Sequence, residues 1–349
     1  MNNQIPFWHA GEYARRLPLL KQRGVIVETI RSFFANREFL EVETPILQIS
    51  PGLEPHLKAF KTELAEPFGQ ADRTMYLHTS PEFTMKKLLA AGLTNIFQMA
   101  RVFRNEERSS RHHPEFVMLE WYRANTDYET LMDDTVELVR TCARACDVKV
   151  LMENGRECDP FAQWEKISVS EACCKYAGFN LEETLPAEPS LEPDPAPLAD
   201  VARQMGIETN PEDRWDDIYF RIAYEKIEPN LGRGVPTILY DYPVCMAALS
   251  RRKPSDPRFA ERFEVYVGDV ELANAFSELT DAAEQKQRFE HDMDLKEKLY
   301  GERYPIDDDF IAAVAAMPPA AGIAVGVDRL VMLITGAERI EDVLWAPVA

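Results

Sequence analysis

The first half of the chain carries two clear hydrophobic patterns. Ile26, Ile30 and Phe34 recur at helical spacing, which predicts a helix over residues 19–36. Residues 40–47 then alternate between apolar and polar positions, as in a strand. The chain therefore begins with a predicted helix followed by a predicted strand.

Further helices are predicted from their capping residues. Side-chain oxygens of Ser and Asp satisfy the free N–H groups at a helix start, and Pro is favoured at the first helical position. A Ser followed three residues later by Glu forms a capping box. These signals predict a helix with Ser80 as N-cap and Pro81 at its first position, and further helices that begin at Asp127, Ser168 (with Glu171) and Asp281. A further helix is predicted at residues 215–227 and a short one at 329–335.

Strand patterns fill the space between these helices. Residues 96–103 and 116–122 are strand-like and flank twelve polar residues, which predicts an antiparallel hairpin with a long loop. Other strands are predicted at 237–242, within 262–279 and at 322–327. Neighbouring hairpin strands with flanking helices predict an α+β fold, an antiparallel sheet covered by helices.

Alternation assigns the side chains of two strands to opposite faces of this sheet. One face of the first strand is predicted to carry Phe116, Met118, Glu120 and Tyr122, and one face of the second Leu272, Asn274, Phe276 and Glu278. Each face has a carboxylate among apolar groups. Buried carboxylates need partners, and several in one cleft would suit an ammonium group of a ligand, although each could instead pair with a structural arginine.

The charge of the chain narrows the functional classes. Lys plus Arg number 39 and Asp plus Glu 59, so the net charge is −20, which disfavours a protein that coats nucleic acid. No apolar run approaches the ~20 residues of a membrane span. The N-terminal residues resemble no export signal, which favours a cytoplasmic protein. Residues 182–217 contain eleven carboxylates, two arginines and closely spaced prolines, which predicts an extended, solvated insertion.

The predicted hairpin loop is basic within this acidic chain. Its basic residues are Arg101, Arg104, Arg108, Arg111, His112 and His113. Guanidinium groups match phosphate oxygens, so the loop indicates an anion site, with an exposed charged turn as the alternative. Glu264 and Glu271 could hold Mg²⁺ together with nucleotide phosphates. The glycines of residues 322–329 permit close backbone approach.

Together these segments resemble the three signature motifs of class II aminoacyl-tRNA synthetases. Motif 1 resembles the helix and strand that end at Pro45, motif 2 resembles Phe103–Glu106 with Arg111–Phe116, and motif 3 resembles Gly326–Arg329. Three further segments, Thr79–Glu82, Phe116–Tyr122 and Asn274–Leu279, are similar to the lysyl-tRNA synthetase branch. The resemblance covers roughly residues 20–345 and implies one catalytic domain over 1–349.

The resemblance implies a role for each site residue. Arg104 and Arg329 would be catalytic, and Glu264 and Glu271 would bind Mg²⁺. ATP would contact Arg104, Asn105, Glu106, Arg111, His112, His113, Phe116, Glu271, Leu272, Gly326 and Arg329. A lysine-type amino acid would contact Ser80, Pro81, Glu82, Arg104, Glu120, Tyr122, Asn274, Phe276, Glu278 and Ala324. His113 and Ala324 stand where lysyl-tRNA synthetases usually have asparagine and glycine.

The predicted motif 1 helix starts within about twenty residues of Met1, which leaves no room for an anticodon-binding domain. The chain therefore resembles the stand-alone lysyl-synthetase-like ligases that attach (R)-β-lysine to a lysine of translation elongation factor P. This resemblance implies a homodimer with motif 1 at its interface and makes tRNA an unlikely partner. The alternatives are an enzyme that loads tRNA or a small acceptor, and a catalytically silent paralogue that serves as a binding module.

Overall fold

The computed structural model describes residues 6–69, 71–247 and 249–348. The helices of this part of the chain are α1 (Ala10–Ala35), α2 (Glu82–Ala90), α3 (Tyr128–Ala145), α4 (Val169–Ala172), α5 (Ala196–Gln204), α6 (Trp215–Ile222), α7 (Ala282–Tyr300), α8 (Asp308–Ala316), α9 (Val327–Thr335) and α10 (Ile340–Val343). The strands are β1 (Leu40–Glu41), β2 (Leu47–Gln48), β3 (Phe60–Leu64), β4 (Arg73–Leu77), β5 (Asn95–Phe103), β6 (Glu115–Ala124), β7 (Leu151–Glu153), β8 (Arg156–Cys158), β9 (Glu165–Ser168), β10 (Thr237–Pro243), β11 (Phe259–Val267), β12 (Val270–Ser277) and β13 (Ala320–Gly326).

Eight strands form the main sheet in the order β1-β5-β6-β13-β12-β11-β10-β9. The strands from β5 to β10 pair antiparallel, and the short edge strands β1 and β9 pair parallel with their neighbours. The predicted hairpin of residues 96–103 and 116–122 is the β5–β6 pair. The α+β prediction is confirmed, with parallel pairing at the two edges that the sequence pattern did not indicate.

The back face of the sheet packs on helices α1, α3 and α9. The cluster contains apolar side chains of these helices and of β6 and β13, among them Ile30, Phe34, Leu131, Leu330, Leu119, Trp121 and Ile323. The alternation predicted for β6 is confirmed, because Leu119 and Trp121 face this core while the other face is left for a cavity. A second cluster, centred on Phe83, Phe289 and Phe310, joins α2, α7 and α8.

The predicted strand at residues 40–47 is largely wrong. Only Leu40–Glu41 and Leu47–Gln48 pair as strands, and the residues between them, with Pro45, run without strand pairing. Proline has no N–H for a ladder hydrogen bond, which explains the interruption. The preceding helix is longer than predicted, since α1 begins at Ala10 and continues through Pro18.

The acidic insertion at 182–217 is not the extended, solvated linker that its composition suggested. It contains α5 and the start of α6, and Leu198, Ala202 and Trp215 are buried in a separate hydrophobic cluster with residues of β10 and β11. The carboxylates lie between these apolar positions, so the charge count hid an amphipathic pattern. Among the described helices, none has the length and apolar character that a membrane crossing demands.

Candidate active site

A cavity of about 530 Å³ opens on the front face of the main sheet. Strand register aligns its floor in two rows. Glu120 of β6 lies opposite Ala324, which lies opposite Asn274, which lies opposite Glu264 of β11. In the next row, Tyr122, Gly322, Phe276 and Arg262 are aligned in the same way. Both rows line the cavity, which confirms the face predicted for Glu120, Tyr122, Asn274 and Phe276.

Gly322 is required by the crowding in the second row. A Cβ atom at this position would lie 2.2 Å from the ring of Tyr122 and 2.3 Å from Oε1 of Glu278. Both distances are far below van der Waals contact, so any side chain would displace these two groups. Gly322 therefore lets Tyr122 and Glu278 approach each other across the sheet.

One end of the cavity, hereafter the amino-acid end, is lined by Ser80, Glu82, Glu120 and Tyr122. Glu278, predicted to contact the substrate, is not among the described lining residues; it lies behind them, beside Gly322, and belongs to the same end. The Ser80 hydroxyl donates a hydrogen bond of 2.6 Å to Oε1 of Glu120, and the Tyr122 hydroxyl donates one of 2.8 Å to Oε2. Ser80 also accepts from the backbone N–H of Glu82, which confirms it as a cap of α2. Pro81 precedes the first helical residue.

Lys86 connects two of these carboxylates. Its ammonium lies 2.5 Å from Glu82 and 2.5 Å from Glu278, and its side chain is 1% exposed. The sequence analysis missed this residue, although Glu82 and Lys86 have the i, i+4 spacing of a helical ion pair. The alternative of a structural arginine is therefore wrong for both Glu120 and Glu278: Glu278 pairs with Lys86, and Glu120 is held by Ser80 and Tyr122.

Burial shifts the titration of the amino-acid end. Burial and the nearby charge of Glu82 raise the pKa of Glu120 to about 8, against the hydrogen bonds from Ser80 and Tyr122. Burial likewise raises the pKa of Glu278 to about 8, although Lys86 opposes the shift. Burial disfavours the Lys86 ammonium, but Glu278 and Glu82 outweigh it and raise the pKa of Lys86. Glu120 and Glu278 are therefore largely protonated at pH 7, and an entering ammonium would favour their ionised forms.

The opposite end, hereafter the nucleotide end, is formed by Arg104, His112, Phe116 and Arg329. The guanidinium of Arg104 lies 5.4 Å from the centre of the Phe116 ring, and its buried Nε has no hydrogen-bond partner in the described chain. Arg329 donates to the backbone oxygen of Glu271 at 2.7 Å and pairs with Nε2 of His112 at 2.8 Å. This end can bind an anion beside an aromatic ring.

His112 is held neutral beside Arg329. Burial and the charge of Arg329 lower the pKa of His112. A guanidinium only donates, so Nε2 of His112 accepts, and Nδ1 donates to the Ser109 hydroxyl 2.8 Å away. His112 thereby fixes the orientation of Arg329 over the cavity.

Motif 3 is joined to motif 1 through Asp328. This buried carboxylate forms an ion pair with Arg23 of α1 and accepts the backbone N–H of Val117 at 2.8 Å. It links α1, α9 and β6, and so positions Arg329 and Phe116, which follow Asp328 and precede Val117. The sequence analysis did not single out either member of this pair.

Several residues of motif 2 have contacts outside the cavity. Asn105 and Glu106 lie beyond the cavity lining formed by the described residues, and Glu106 pairs with Lys58 at 2.8 Å. Arg111 borders the cavity, but its guanidinium binds Glu153 at 3.0 Å and the Asp269 carbonyl at 2.7 Å.

His113, which stands at the usual asparagine position, has both ring nitrogens in use. Nδ1 lies 2.6 Å from the Glu115 carbonyl, and Nε2 accepts the backbone N–H of Val348 at 3.1 Å. Its side chain is 2% exposed. The ring therefore anchors the C-terminal segment to the motif 2 loop.

A β-bulge corrects one prediction about β12. The pairing skips Leu272, since Val265 lies opposite Ala273 and Tyr266 opposite Glu271. Leu272 is consequently buried in the hydrophobic core, although it also borders the cavity as predicted. The bulge also brings Glu271 to the cavity, on the side of Glu264.

Glu264 and Glu271 have the chemistry of a magnesium site that is completed by phosphates. Oxygen donors from one or two carboxylates are the usual protein ligands of Mg²⁺. Burial and the charge of Glu264 raise the pKa of Glu271, a repulsion that a divalent cation would relieve. Glu264 already accepts from Tyr242 at 2.6 Å and from Tyr266 at 2.7 Å. No cluster of three or more metal-binding side chains occurs among the described residues.

The remaining predicted residues line the cavity floor. Ala324 lies between Glu120 and Asn274, and Gly326 ends β13 opposite Met118. Arg262, which the sequence analysis missed, donates to the Asn274 side chain at 3.1 Å and to Glu264 at 2.5 Å. It therefore links the Asn274 amide to Glu264 across the cavity wall.

Comparison with known proteins agrees with this geometry. The family model for class II tRNA synthetases (D, K and N) matches residues 13–348. Proteins from Haemophilus ducreyi, Haemophilus influenzae and Vibrio vulnificus, each named elongation factor P–(R)-β-lysine ligase, are 39%, 40% and 39% identical to the chain. The matches cover 93%, 93% and 94% of this chain and 92%, 93% and 95% of the relatives. The chain belongs to the family of class II tRNA synthetases for D, K and N.

Proposed function

We propose that the protein is a ligase that activates (R)-β-lysine, or a closely related lysine, with ATP and transfers it to a lysine side chain of elongation factor P. The observation that carries this proposal is the amino-acid end, where three carboxylates are buried and the one internal ammonium pairs with two of them, Glu82 and Glu278. The names of three relatives that match nearly the whole chain support the same substrate and acceptor.

The charge of the amino-acid end suits a substrate with two amino groups. Glu82, Glu120 and Glu278 would carry three negative charges when ionised, and Lys86 supplies one positive charge. Two negative charges are left for two ammonium groups. An amino acid with a single ammonium would leave one buried carboxylate unpaired. The free-energy cost of that unpaired group is about 1–3 kcal/mol, and more if it stays charged. This balance favours a lysine-type substrate over an apolar amino acid of the same length.

The nucleotide end would direct the activation step. The substrate carboxylate attacks the α-phosphorus of ATP in line, which forms an aminoacyl-adenylate and releases pyrophosphate. Arg104 of the nucleotide end would neutralise charge on the α-phosphate and the carboxylate, while Phe116 and Arg329 would enclose the adenine. Catalysis would come from positioning and charge neutralisation.

Magnesium would be held by Glu264 and Glu271 together with the phosphates of ATP. When bound, the ion supplies positive charge that neutralises phosphate oxygens. Glu264 would have to exchange a tyrosine hydrogen bond for the ion, since both of its oxygens already have partners. The Arg111 guanidinium would likewise have to leave Glu153 to reach the distal phosphates.

We expect the protein to act as a cytoplasmic homodimer. The segment around motif 1 exposes large apolar side chains, namely Leu40, Ile46, Leu47 and Ile49. Contiguous exposed apolar side chains are typical of protein interfaces. A sedimentation measurement that finds a monomer at micromolar concentration would contradict this part of the proposal.

The proposed function is tested by ATP–pyrophosphate exchange with L-lysine and with (R)-β-lysine, followed by transfer to purified elongation factor P or to tRNA. We expect exchange with at least one lysine isomer and stable transfer only to the protein. Arg104→Ala should abolish exchange, and full activity in this variant would refute the site assignment. Exchange with no lysine isomer would refute the enzyme itself, and transfer to tRNA alone would favour a lysyl-tRNA synthetase.

A further inference from the structure

The cavity contains a third group of titratable side chains that the activation step does not use. Glu54 and His56 come from the loop before β3, and His291 and Asp292 come from α7. All four line the same cavity as Arg104. They are separate from the carboxylates of the amino-acid end and from Glu264 and Glu271.

Glu54 has a buried oxygen that is ready for a ligand. Its Oε2 makes no hydrogen bond within the described chain. Gly52, with a φ of +132°, makes room for this atom, because a Cβ there would lie 2.9 Å from Oε2. A buried carboxylate oxygen without a donor is costly, and an entering ammonium would satisfy it.

Burial and neighbouring carboxylates raise the pKa of both Glu54 and Asp292. Burial and the charge of Glu82 raise the pKa of Glu54, and Arg104 and Lys296 oppose this shift. Burial and the charge of Glu54 raise the pKa of Asp292 to about 7, against Arg214 and Arg288. A carboxylate with this environment can accept a proton from an amine near pH 7 more readily than an ordinary one.

The transfer step needs such a group. An acceptor lysine has a pKa near ~10.4 and enters as an ammonium, which has no lone pair for attack. Glu82, Glu120 and Glu278 would already be paired with Lys86 and the amino groups of the activated substrate. Glu54 feels the charge of Arg104, the residue that would hold the reacting carboxylate, so it lies near the point of transfer.

We propose that Glu54 and Asp292 form the subsite for the acceptor lysine, in which Glu54 is the catalytic base and Asp292 helps to bind the incoming ammonium. This inference rests on the proposed function and adds to it the acceptor site and the base of the second step. The shared cavity and the unpartnered Oε2 of Glu54, a carboxylate that neither magnesium nor the substrate amines would occupy, support this assignment.

The step balances as follows. Glu54 takes one proton from the lysine ammonium, and the neutral amine attacks the carbonyl carbon of the adenylate. A C–N bond forms, the C–O bond to phosphate breaks, and AMP leaves. The second nitrogen proton goes to a phosphate oxygen of AMP, and Glu54 returns its proton to solvent. The products are the amide and AMP, and nothing is oxidised or reduced.

Glu54→Gln separates this role from activation. We expect pyrophosphate exchange within about threefold of wild type, which also shows that the variant folds, and a single-turnover transfer from preformed adenylate slower by about 100-fold at pH 7. Transfer by this variant should rise about tenfold per pH unit between pH 7 and 9, because only the amine already neutral in solution can react. Glu54→Asp should recover part of the rate.

Two further variants complete the test. Asp292→Asn should raise the KM for elongation factor P about tenfold and leave exchange unchanged. Glu290→Gln removes the same charge from an exposed position on α7 and should change neither step. Equal losses of exchange and transfer in Glu54→Gln, or a transfer rate with the wild-type pH profile, would overturn the proposal. A wild-type protein without lysine-dependent exchange would instead refute the proposed function, and this proposal with it.

Discussion

The two ends of the cavity differ in charge and in exposure. At the amino-acid end, Glu120, Glu278 and Lys86 are each 1% exposed and are held by short hydrogen bonds and ion pairs. At the nucleotide end, Arg104 and Arg111 are partly exposed, and Arg111 is paired away from the cavity. One end is prebuilt for cations, whereas the other requires rearrangement to enclose an anion.

This difference gives the two ends of the cavity different roles in substrate recognition. A buried carboxylate that lacks a partner is costly, so the amino-acid end discriminates by which ammonium groups a ligand brings. The arginines remain charged in water and can bind any phosphate of suitable shape, with a smaller penalty for a poor match. The first end should therefore choose the substrate, and the second should supply charge for the reaction.

The largest predicted effect comes from breaking the amino-acid end directly. Glu278→Ala removes the carboxylate that Lys86 shares with the substrate, and it leaves Lys86 paired with Glu82 alone. We expect at least about a 1000-fold loss of kcat/KM for lysine-dependent pyrophosphate exchange, which corresponds to about 4 kcal/mol. The KM for ATP should change little. Wild-type exchange in Glu278→Ala would disprove the assignment of this end.

A smaller effect is expected from removing the internal cation. Lys86→Met keeps the apolar stem but leaves three buried carboxylates without their ammonium, so the free energy of unfolding should fall by about 3 kcal/mol at pH 8. The carboxylates can escape the penalty by binding protons. The pKa values of Glu120 and Glu278 lie above the usual 4.5 in the folded protein, so stability is lost as pH rises from about 4.5 to about 8.

The pH dependence separates this effect from simple loss of packing. Denaturant titrations at pH 5.5 and pH 8 should show a much smaller difference between Lys86→Met and wild type at the lower pH. Lys87→Met, one position along α2, removes a half-exposed lysine and serves as the control. An equal destabilisation at both pH values would contradict the electrostatic explanation.

The smallest effect concerns protons released on substrate binding. Glu120 and Glu278 have pKa values of about 8 and are largely protonated at pH 7, and an incoming ammonium favours their ionised forms. Binding of lysine should therefore release on the order of one proton at pH 7. Calorimetry in two buffers of different ionisation enthalpy measures this number. Proton uptake in place of release would contradict the charge state proposed for this end.

The sequence predicted which face of the sheet lines the cavity more reliably than it predicted the side-chain contacts on that face. Strand alternation correctly assigned Glu120 and Tyr122 to the cavity, because a continuous ladder preserves the period of two. The same rule failed at Leu272, where a bulge that depends on the pairing with β11 shifts the period. No local pattern signals such a bulge, since it is a property of two strands.

Long-range contacts and amphipathic helices account for the other differences between the predicted and the observed structure. Glu278 is 192 positions from Lys86 in the chain, so helical spacing could indicate only the ion pair between Lys86 and Glu82. The sequence did not predict the fold of residues 182–217, because carboxylates dominate the composition of this segment. Only a few apolar residues, such as Leu198 and Trp215, form its core. His113 was expected near the nucleotide, but its bond to Val348 depends on the path of the C-terminal segment.

The central claim is that buried carboxylates select an amino acid with two ammonium groups before any acceptor binds. The most direct test is the rate of ATP–pyrophosphate exchange with lysine isomers compared with norleucine, which has the same carbon chain as L-lysine but lacks the side-chain ammonium. We predict exchange with a lysine isomer and a kcat/KM at least about 1000-fold lower with norleucine. Equal exchange with norleucine would contradict the claim.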